Sequence, residues 1–516
     1  MNARTSRTIS RAALAALAAG GLLLSGCGSG GGSGAGSGGG ETADSLTVAM
    51  SYRASTLDPH AGSTYDPQYT GQIYDTLIAW DAEGKAVPGL ATEWEFSDDS
   101  TVLTLTLREG VTFQDGEEMN AEAVKASLEH AMEEGSTIAS DLATVESVET
   151  PDESTVVLNF SSPSTHILNA LGAEAGMVIS PASLTGDVGE NPVGAGPYQV
   201  VSHSPDEVRL ETWDGYWDAE NVKTPNLTIR AVVDDSARVR ALTSGEVDAG
   251  NFRPSQLAEI EAGGAKAEGG PTDLIYHVNL NTSVEGLDDP VVRRAVSQAI
   301  DRNAINENLQ GGRCQPTAQP YIEGLPGHVE GMEEDEGLLY DPAAAEAGLE
   351  EAGFGASNPL NVTISSANIS VYQELAQVLQ DQLSQVGVES SVEAVDSAQA
   401  GASVRNSEYE VYVGPASTAD PDATSYLAAY LLRDAPATEG YEVPEGAQLL
   451  TEARSVLPEE DGGAALQALV RAAYAEAAPI IPICAPDSVV GMGEGVEGFT
   501  TPVEGAYVWK TATVTK

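Results

Sequence analysis

The chain is short of cations. Its 516 residues hold 24 Lys+Arg against 78 Asp+Glu, a formal charge of −54, although charged residues of both signs make up only 20%. A surface of that sign repels phosphate backbones and anionic lipid head groups, which argues against nucleic acid as a partner. Cysteine is scarce as well. Beyond Cys27 there are only Cys314 and Cys484, with no CxxC and no histidine at metal-ligand spacing. Catalytic signatures are missing. The histidines at 60, 130, 166, 203, 277 and 328 include no HExxH pair, and no GxxxxGK[ST] loop occurs. No GxSxG pattern occurs in the chain, so no nucleophile elbow is marked. With 78 acids, a carboxylate pair can be drawn anywhere and carries no information. Long apolar runs are absent after the first thirty residues, so no later segment reaches the ~20 residues of a membrane-spanning helix.

What is present begins with the leader. Arg4, Arg7 and Arg11 precede the apolar stretch Ala12–Leu24, which is too short for a mature span but suits the h-region of a signal peptide. It ends at Leu24-Ser25-Gly26-Cys27, which resembles the bacterial lipobox. That resemblance implies a signal peptide over 1–26 and a mature chain beginning at an acylated Cys27. Removing the leader's three arginines makes the mature chain more acidic still. The following GSGGGSGAGSGGG run reads as a flexible tether spanning roughly 20 Å at ~5–6 Å × √n. The expected location is the outer face of the cell membrane, reached through lipid alone. Outside the cell, Cys314 and Cys484 are expected to form a disulfide; the alternative is two buried, inert thiols.

The 41% hydrophobic content is that of a folding chain, and at ~150 residues per domain the length suits roughly three domain-sized pieces. Local patterns alternate between strand and helix. Leu46–Met50 reads as a strand, and Leu103, Leu105 and Leu107 alternate with Thr104 and Thr106. Asn120 caps a helix whose stripe is Val124, Leu128 and Met132. Asp289-Pro290 and Asp341-Pro342 each offer a cap followed by proline at the first helical position. Tyr372, Leu375, Ala376, Leu379, Leu383 and Val386 line another helix, and Val388–Val395 reads as the next strand. The rhythm predicts a mixed α/β fold.

A series of motifs then runs in order along the chain. Leu57-Asp58-Pro59 is followed by Ile73-Tyr74-Asp75-Thr76-Leu77 and by Pro88-Gly89-Leu90-Ala91-Thr92-Glu93-Trp94. Next come Leu107-Arg108-Glu109-Gly110-Val111-Thr112-Phe113-Gln114-Asp115-Gly116, Gly194-Ala195-Gly196-Pro197-Tyr198 and Tyr216-Trp217. Leu242-Thr243-Ser244-Gly245-Glu246-Val247-Asp248, Arg293-Arg294-Ala295 and Ala299-Ile300-Asp301-Arg302 complete the set. In this order they resemble the extracytoplasmic solute-binding proteins of ABC importers, family 5, which carry peptides, nickel, opines and related ligands. Most of these motifs read as structural; Asp115-Gly116 is a turn signal, and Arg293, Arg294 and Asp301 are expected in ion pairs.

The resemblance implies a two-lobed, periplasmic-binding-protein-like α/β fold (type II, cluster C) with an extra subdomain in lobe one. Lobe one is expected over 45–86, 187–279 and 486–516, the inserted subdomain over 87–186, and lobe two over 280–485, after a leader of 1–26 and a lipidated tether of 27–44. The strand around Tyr276–Asn281 is expected to carry the chain from one lobe to the other. It also implies a monomer that closes on a small molecule or peptide and presents it to ABC permease and ATPase subunits, with no catalysis, cofactor or metal. Ligand contacts carried over by position are Ser63, Thr64, Tyr65, Tyr321, Arg405, Ser417, Thr418 and Asp420. Asp420 matches an amine-pairing Asp of peptide-binding relatives, although Pro415 stands where they have Trp; its alternative is an Asp-Pro turn. Arg405 suits a ligand carboxylate or an exposed ion pair, and Tyr321 a cleft wall or a core position. An opine, a glycoside or a metal complex are the alternative ligands. A tethered hydrolase and a sensory lipoprotein are the alternative functions.

Overall fold

The computed structural model describes residues 43–515, apart from 64–65, 82–84, 134, 271, 273, 326, 333–337, 419–422, 433–434, 457–462, 476 and 500–508. The leader, Cys27 and the tether lie outside the described residues, as do Thr64, Tyr65 and Asp420. No helix among the described residues is long and apolar enough to cross a membrane.

Strand Ser45–Met50 lies at the centre of a seven-stranded sheet, parallel to both Asn226–Ala231 and Ala249–Phe252. A parallel strand covered on both faces carries apolar residues on consecutive positions. Here Val48 and Met50 face one core while Ala49 faces another, and all three are fully buried. The edges are antiparallel, made by Glu207–Thr212 and Tyr198–Ser204 on one side and by Ser488–Met492 and Lys266–Gly270 on the other.

A second, six-stranded sheet runs Cys314–Pro316, Ile480–Pro486, Leu274–Leu280, Val411–Ser417, Leu360–Ala367, Val388–Val395. Leu360–Ala367 and Val388–Val395 pair in parallel, so a crossover must join them. Helix Ser370–Gln385 is that crossover, and its Tyr372, Leu375, Ala376, Leu379 and Leu383 are buried against the sheet. The helices expected after Asp289 and Asp341 are Pro290–Gln298 and Pro342–Glu351, each capped by the aspartate carboxylate. Cys314 and Cys484 are joined by a disulfide between neighbouring strands, with Cα atoms 5.4 Å apart.

The inserted piece is an antiparallel four-stranded sheet, Ala91–Phe96, Val102–Leu107, Thr155–Phe160, Val145–Asp152. Leu103, Leu105 and Leu107 point into its core and Thr106 is exposed, the two-residue period expected of a half-buried strand. Helix Ala121–Ala131 covers it, with the Asn120 side chain accepting from the Ala123 amide at 3.0 Å.

The motif residues weld this piece to the seven-stranded sheet. Gln114 donates to the Ile73 and Tyr198 carbonyls at 2.9 and 2.8 Å and accepts from the Gly194 amide at 2.9 Å. Gly194 and Gly196 are required by close approach, since a Cβ on either would lie within 2.6 Å of Ile73 backbone atoms. Asp75 accepts from Trp217 Nε1 at 2.6 Å, and the Arg108 guanidinium lies 4.1 Å from the centre of a Trp217 ring. Arg293 donates to the Ala477, Leu287 and Asp288 carbonyls, and Asp301 caps helix Arg302–Leu309 through the Ala304 amide.

One boundary moves. Leu274–Leu280 does not run between the lobes; it hydrogen-bonds on both sides within the six-stranded sheet. An apolar strand buried on both faces reads the same in either sheet, so only the long-range pairing places it.

Candidate functional site

The chain leaves the seven-stranded sheet after Gly270, enters the six-stranded sheet at Leu274, and returns between Pro486 and Ser488. The two crossings lie side by side. Gly270 pairs with Ser488 on one side of them and Tyr276 with Cys484 on the other. Thr272 Oγ1 donates to the Pro486 carbonyl at 2.8 Å, and the Asp487 amide donates to the Arg313 carbonyl at 2.9 Å. Two short, adjacent connections between rigid sheets are the geometry of a hinge.

Away from the hinge, further contacts among the described residues join the lobes. Arg253, just after strand Ala249–Phe252, places Nη2 2.8 Å from Glu374 on helix Ser370–Gln385 and Nη1 3.3 Å from Asp235. Burial alone would lower the Arg253 pKa, but the Glu374 and Asp235 carboxylates outweigh it and hold the guanidinium above its ordinary value. In the inserted subdomain, the Thr165 amide and hydroxyl both donate to the Arg454 carbonyl, at 3.0 and 2.9 Å. The Arg454 Nε in turn donates to Thr424 Oγ1 at 2.8 Å. Arg454 therefore links the subdomain to the chain that follows Ser417 and Thr418.

The residues carried over by resemblance fall in three groups. Ser417 ends strand Val411–Ser417 half-buried, and Thr418 beside it is buried; both lie on the approach to Thr424 and Arg454. Ser63 is exposed on a loop held by buried Asp66, whose carboxylate accepts from the Ser63 and Ser55 amides at 2.9 Å. Arg405 is exposed at the end of helix Ser397–Arg405. Tyr321 is fully buried, and its hydroxyl donates to the Ala423 carbonyl. It packs in a core beside Ala423 and does not offer its ring to solvent.

A buried histidine that no sequence motif marks lies beside Tyr426 and Tyr430. His277 is fully buried, with Nδ1 3.1 Å from the Tyr426 hydroxyl and its ring 5.0 Å from that of Tyr430. Its Nε2 has no partner among the described residues. Burial pushes its pKa down to about 3, so the ring is neutral. A small recess of ≈ 40 Å³ lined by Arg293, Ser297, Tyr474 and Pro482 involves lobe-two residues alone.

The sequence reading also assigns no metal site. Among the described residues the fold nevertheless gathers one His/Asp group, Asp58, His60 and His130. Burial pushes His60 down to about 4, against the Asp58 charge and the Met177 and Glu174 carbonyls. His130 is raised above its ordinary value, first by its hydrogen bond with Asp58. For Asp58, burial pushes the carboxyl up, but the hydrogen bonds from His130 and the His60 amide prevail and lower it.

Comparison with known proteins places this architecture. The model of "Bacterial extracellular solute-binding proteins, family 5 Middle" matches residues 85–436. The glutathione-binding protein GsiB of Pectobacterium atrosepticum is 31% identical over 372 residues, covering 70% of this chain and 71% of that protein. Its Salmonella typhimurium counterpart is 32% identical over 372 residues, covering 70% and 72%. The peptide-bound DppA of Helicobacter pylori superposes with a TM-score of 0.81 at 21% identity, covering 92% of this chain and 98% of that one. NikA of Staphylococcus aureus, in complex with Ni(L-His)2, gives 0.79 at 19% identity, covering 92% and 100%. These structures are two-lobed periplasmic binding proteins, and they fix the fold. The family consists of extracytoplasmic binders of small solutes, not enzymes, that work with the permease and ATPase subunits of ABC importers. This chain belongs to the bacterial extracellular solute-binding proteins, family 5, as the substrate-binding component of an ABC importer.

Proposed function

We infer that this protein is a lipid-anchored receptor that captures a short peptide between its lobes and delivers it to the permease. The observation that carries the peptide class is the 31–32% identity to glutathione-binding proteins over 70% of the chain, since glutathione is itself a tripeptide. The anchor is Cys27, on the strength of the leader, apolar stretch and lipobox in sequence. The residues assigned to ligand contact at this end are Ser417, Thr418 and Asp420. The Arg454–Thr165 contact closes one side and the Arg253–Glu374 pair the other. Ser63, Thr64 and Tyr65 contribute from lobe one, and Arg405 meets a ligand carboxylate. Closure is driven by contacts made to both lobes at once and needs no covalent step.

The test is mass spectrometry of ligand carried through purification, followed by thermal shift with glutathione and with di- to pentapeptides. A ligand at 100 times its Kd stabilises the fold by ~2.7 kcal/mol. The expected result is stabilisation by a short peptide without its hydrolysis. No stabilisation by any peptide would remove the peptide assignment and turn the search to opines, glycosides and metal complexes, while leaving the family membership standing.

A further inference from the structure

Three side chains that the sequence keeps apart meet where lobe one's first loop touches the inserted subdomain. Asp58 and His60 follow strand Ser45–Met50, and His130 is in the last turn of helix Ala121–Ala131. One ligand atom from each lies within 4.8 Å of the other two. His130 Nε2 is 3.2 Å from Asp58 Oδ2, and the His60 and His130 ring centres are 5.4 Å apart. Donors around one tetrahedral ion at ~2.0–2.2 Å stand roughly 3.3–3.6 Å from each other, so small side-chain rotations close the set.

Two further features aim this cluster at a ligand. His60 is 1% exposed, and although the Met177 and Glu174 carbonyls lie near its ring, neither ring nitrogen makes a hydrogen bond of good geometry among the described residues. Leaving such groups unmet costs ~1–3 kcal/mol each. The loop has little freedom to relieve this by moving. The His60 carbonyl accepts from the Thr137 amide at 3.0 Å and Ser136 Oγ at 2.9 Å, and Thr137 Oγ1 donates to the Gly62 carbonyl at 2.8 Å. Behind His130, Nδ1 lies 3.5 Å from the Glu133 carboxylate. A carboxylate behind the far nitrogen orients the ring, as behind metal-ligating histidines. In the ion-free protein Nε2 shares a proton with Asp58 Oδ2; a cation replaces that proton and takes both atoms as ligands. Asp58 and His130 keep 14% and 25% side-chain exposure, which leaves a route in from solvent.

We propose that Asp58, His60 and His130 bind one divalent transition-metal ion of the zinc or nickel class, with water completing its coordination. Two imidazoles and one carboxylate suit those ions and disfavour magnesium and calcium, which prefer oxygen ligands. All three donors belong to the loop and subdomain of lobe one, so this ion is distinct from anything held between the lobes. It ties the Asp58–Ser63 loop to the subdomain.

The test uses the untagged full chain, stripped with chelator and titrated calorimetrically with zinc, with cobalt absorbance as the spectroscopic probe. The expected result is one ion per chain and a visible cobalt band. His60→Ala and His130→Ala each weaken binding at least tenfold, and Glu133→Gln weakens it about tenfold. Melting curves of the metal-free variants show which remain folded; His130, being partly exposed, is the substitution to read if His60→Ala unfolds. Absence of stoichiometric binding would overturn the proposal and leave a His130–Asp58 ion pair alone. Binding that survives both histidine substitutions would overturn it equally, by placing the ion elsewhere, including the inter-lobe seam.

Discussion

Arg253 and Glu374 meet at 2.8 Å although one follows a strand of the seven-stranded sheet and the other rides the crossover helix of the six-stranded sheet. The pair is therefore made only when the two lobes are together. Its side chains keep 21% and 43% of their exposure, so solvent screens it and its contribution is ~0.2–1 kcal/mol. Glu374→Ala is expected to weaken ligand binding by up to about fivefold, because the closed state is less populated. The effect fades at high salt. Calorimetry at low and high ionic strength checks this; equal affinities for both proteins at low salt would show that the pair does not bias closure.

The Cys314–Cys484 bond spans 170 residues of sequence. Closing a loop of that length restricts the unfolded chain by ~2–5 kcal/mol. A Cys314→Ser/Cys484→Ser double variant is expected to unfold at lower urea, with ligand affinity retained because the bond joins two strands of one sheet and neither cysteine is among the expected ligand contacts. Both cysteines are fully buried, so reductant should attack slowly until unfolding exposes them. Rapid reduction of the folded protein, or an unchanged urea midpoint, would contradict this.

Much of the fold was legible in the sequence because it is written in local periodicity. The Leu103, Leu105, Leu107 alternation and the Tyr372–Leu383 stripe report burial directly, and Asn120, Asp289 and Asp341 mark helix starts by their own hydrogen bonds. Sheet membership was not legible, because Leu274–Leu280 has the same pattern whichever sheet it joins. The site was less legible still. Asp58 and His130 stand 72 positions apart, and only the packing of the subdomain brings them together. Nor does any local signal distinguish Tyr321 in a core from a tyrosine in a cleft. His277 could have been noticed only as one of two polar residues, with Asn279, in a largely apolar strand.

Acid should destabilise the protein partly through His277. Its folded-state pKa is depressed from 6.5 to about 3, so between those values the unfolded chain binds a proton that the folded chain does not. Stability contributed by the neutral ring is present above 6.5 and falls with pH through that window, by up to ~1.4 kcal/mol per unit. His277→Gln, which keeps a polar group near the Tyr426 hydroxyl and does not titrate, is expected to flatten the acid limb of a melting-temperature profile. An unchanged slope would mean that other groups dominate acid unfolding.

If Cys27 carries the anchor, Cys27→Ala should leave the leader unprocessed by the lipoprotein route and the chain without acyl groups. Each buried CH₂ contributes ~0.8 kcal/mol to membrane attachment, so loss of the chains removes the anchor outright. Fractionation with mass spectrometry of the N-terminus reads both effects. A variant processed and retained like the parent would show that attachment does not run through this residue.

The role of Asp420 can be separated from that of an Asp-Pro turn by pairing a substitution with a change in the ligand. If the carboxylate meets the α-amine of a bound peptide, Asp420→Asn removes a charge-assisted hydrogen bond worth ~1.5–3 kcal/mol, or roughly tenfold to a hundredfold in affinity. An N-acetylated peptide has no ammonium to lose, so its affinity should be weak for both proteins and nearly unaffected by the substitution. Asparagine keeps the shape and turn-forming capacity of aspartate, so a purely structural Asp420 predicts little change with either ligand. Measuring all four affinities gives the coupling between carboxylate and amine directly. A coupling near zero would assign Asp420 to the turn and move the search for the amine partner to other carboxylates facing the seam.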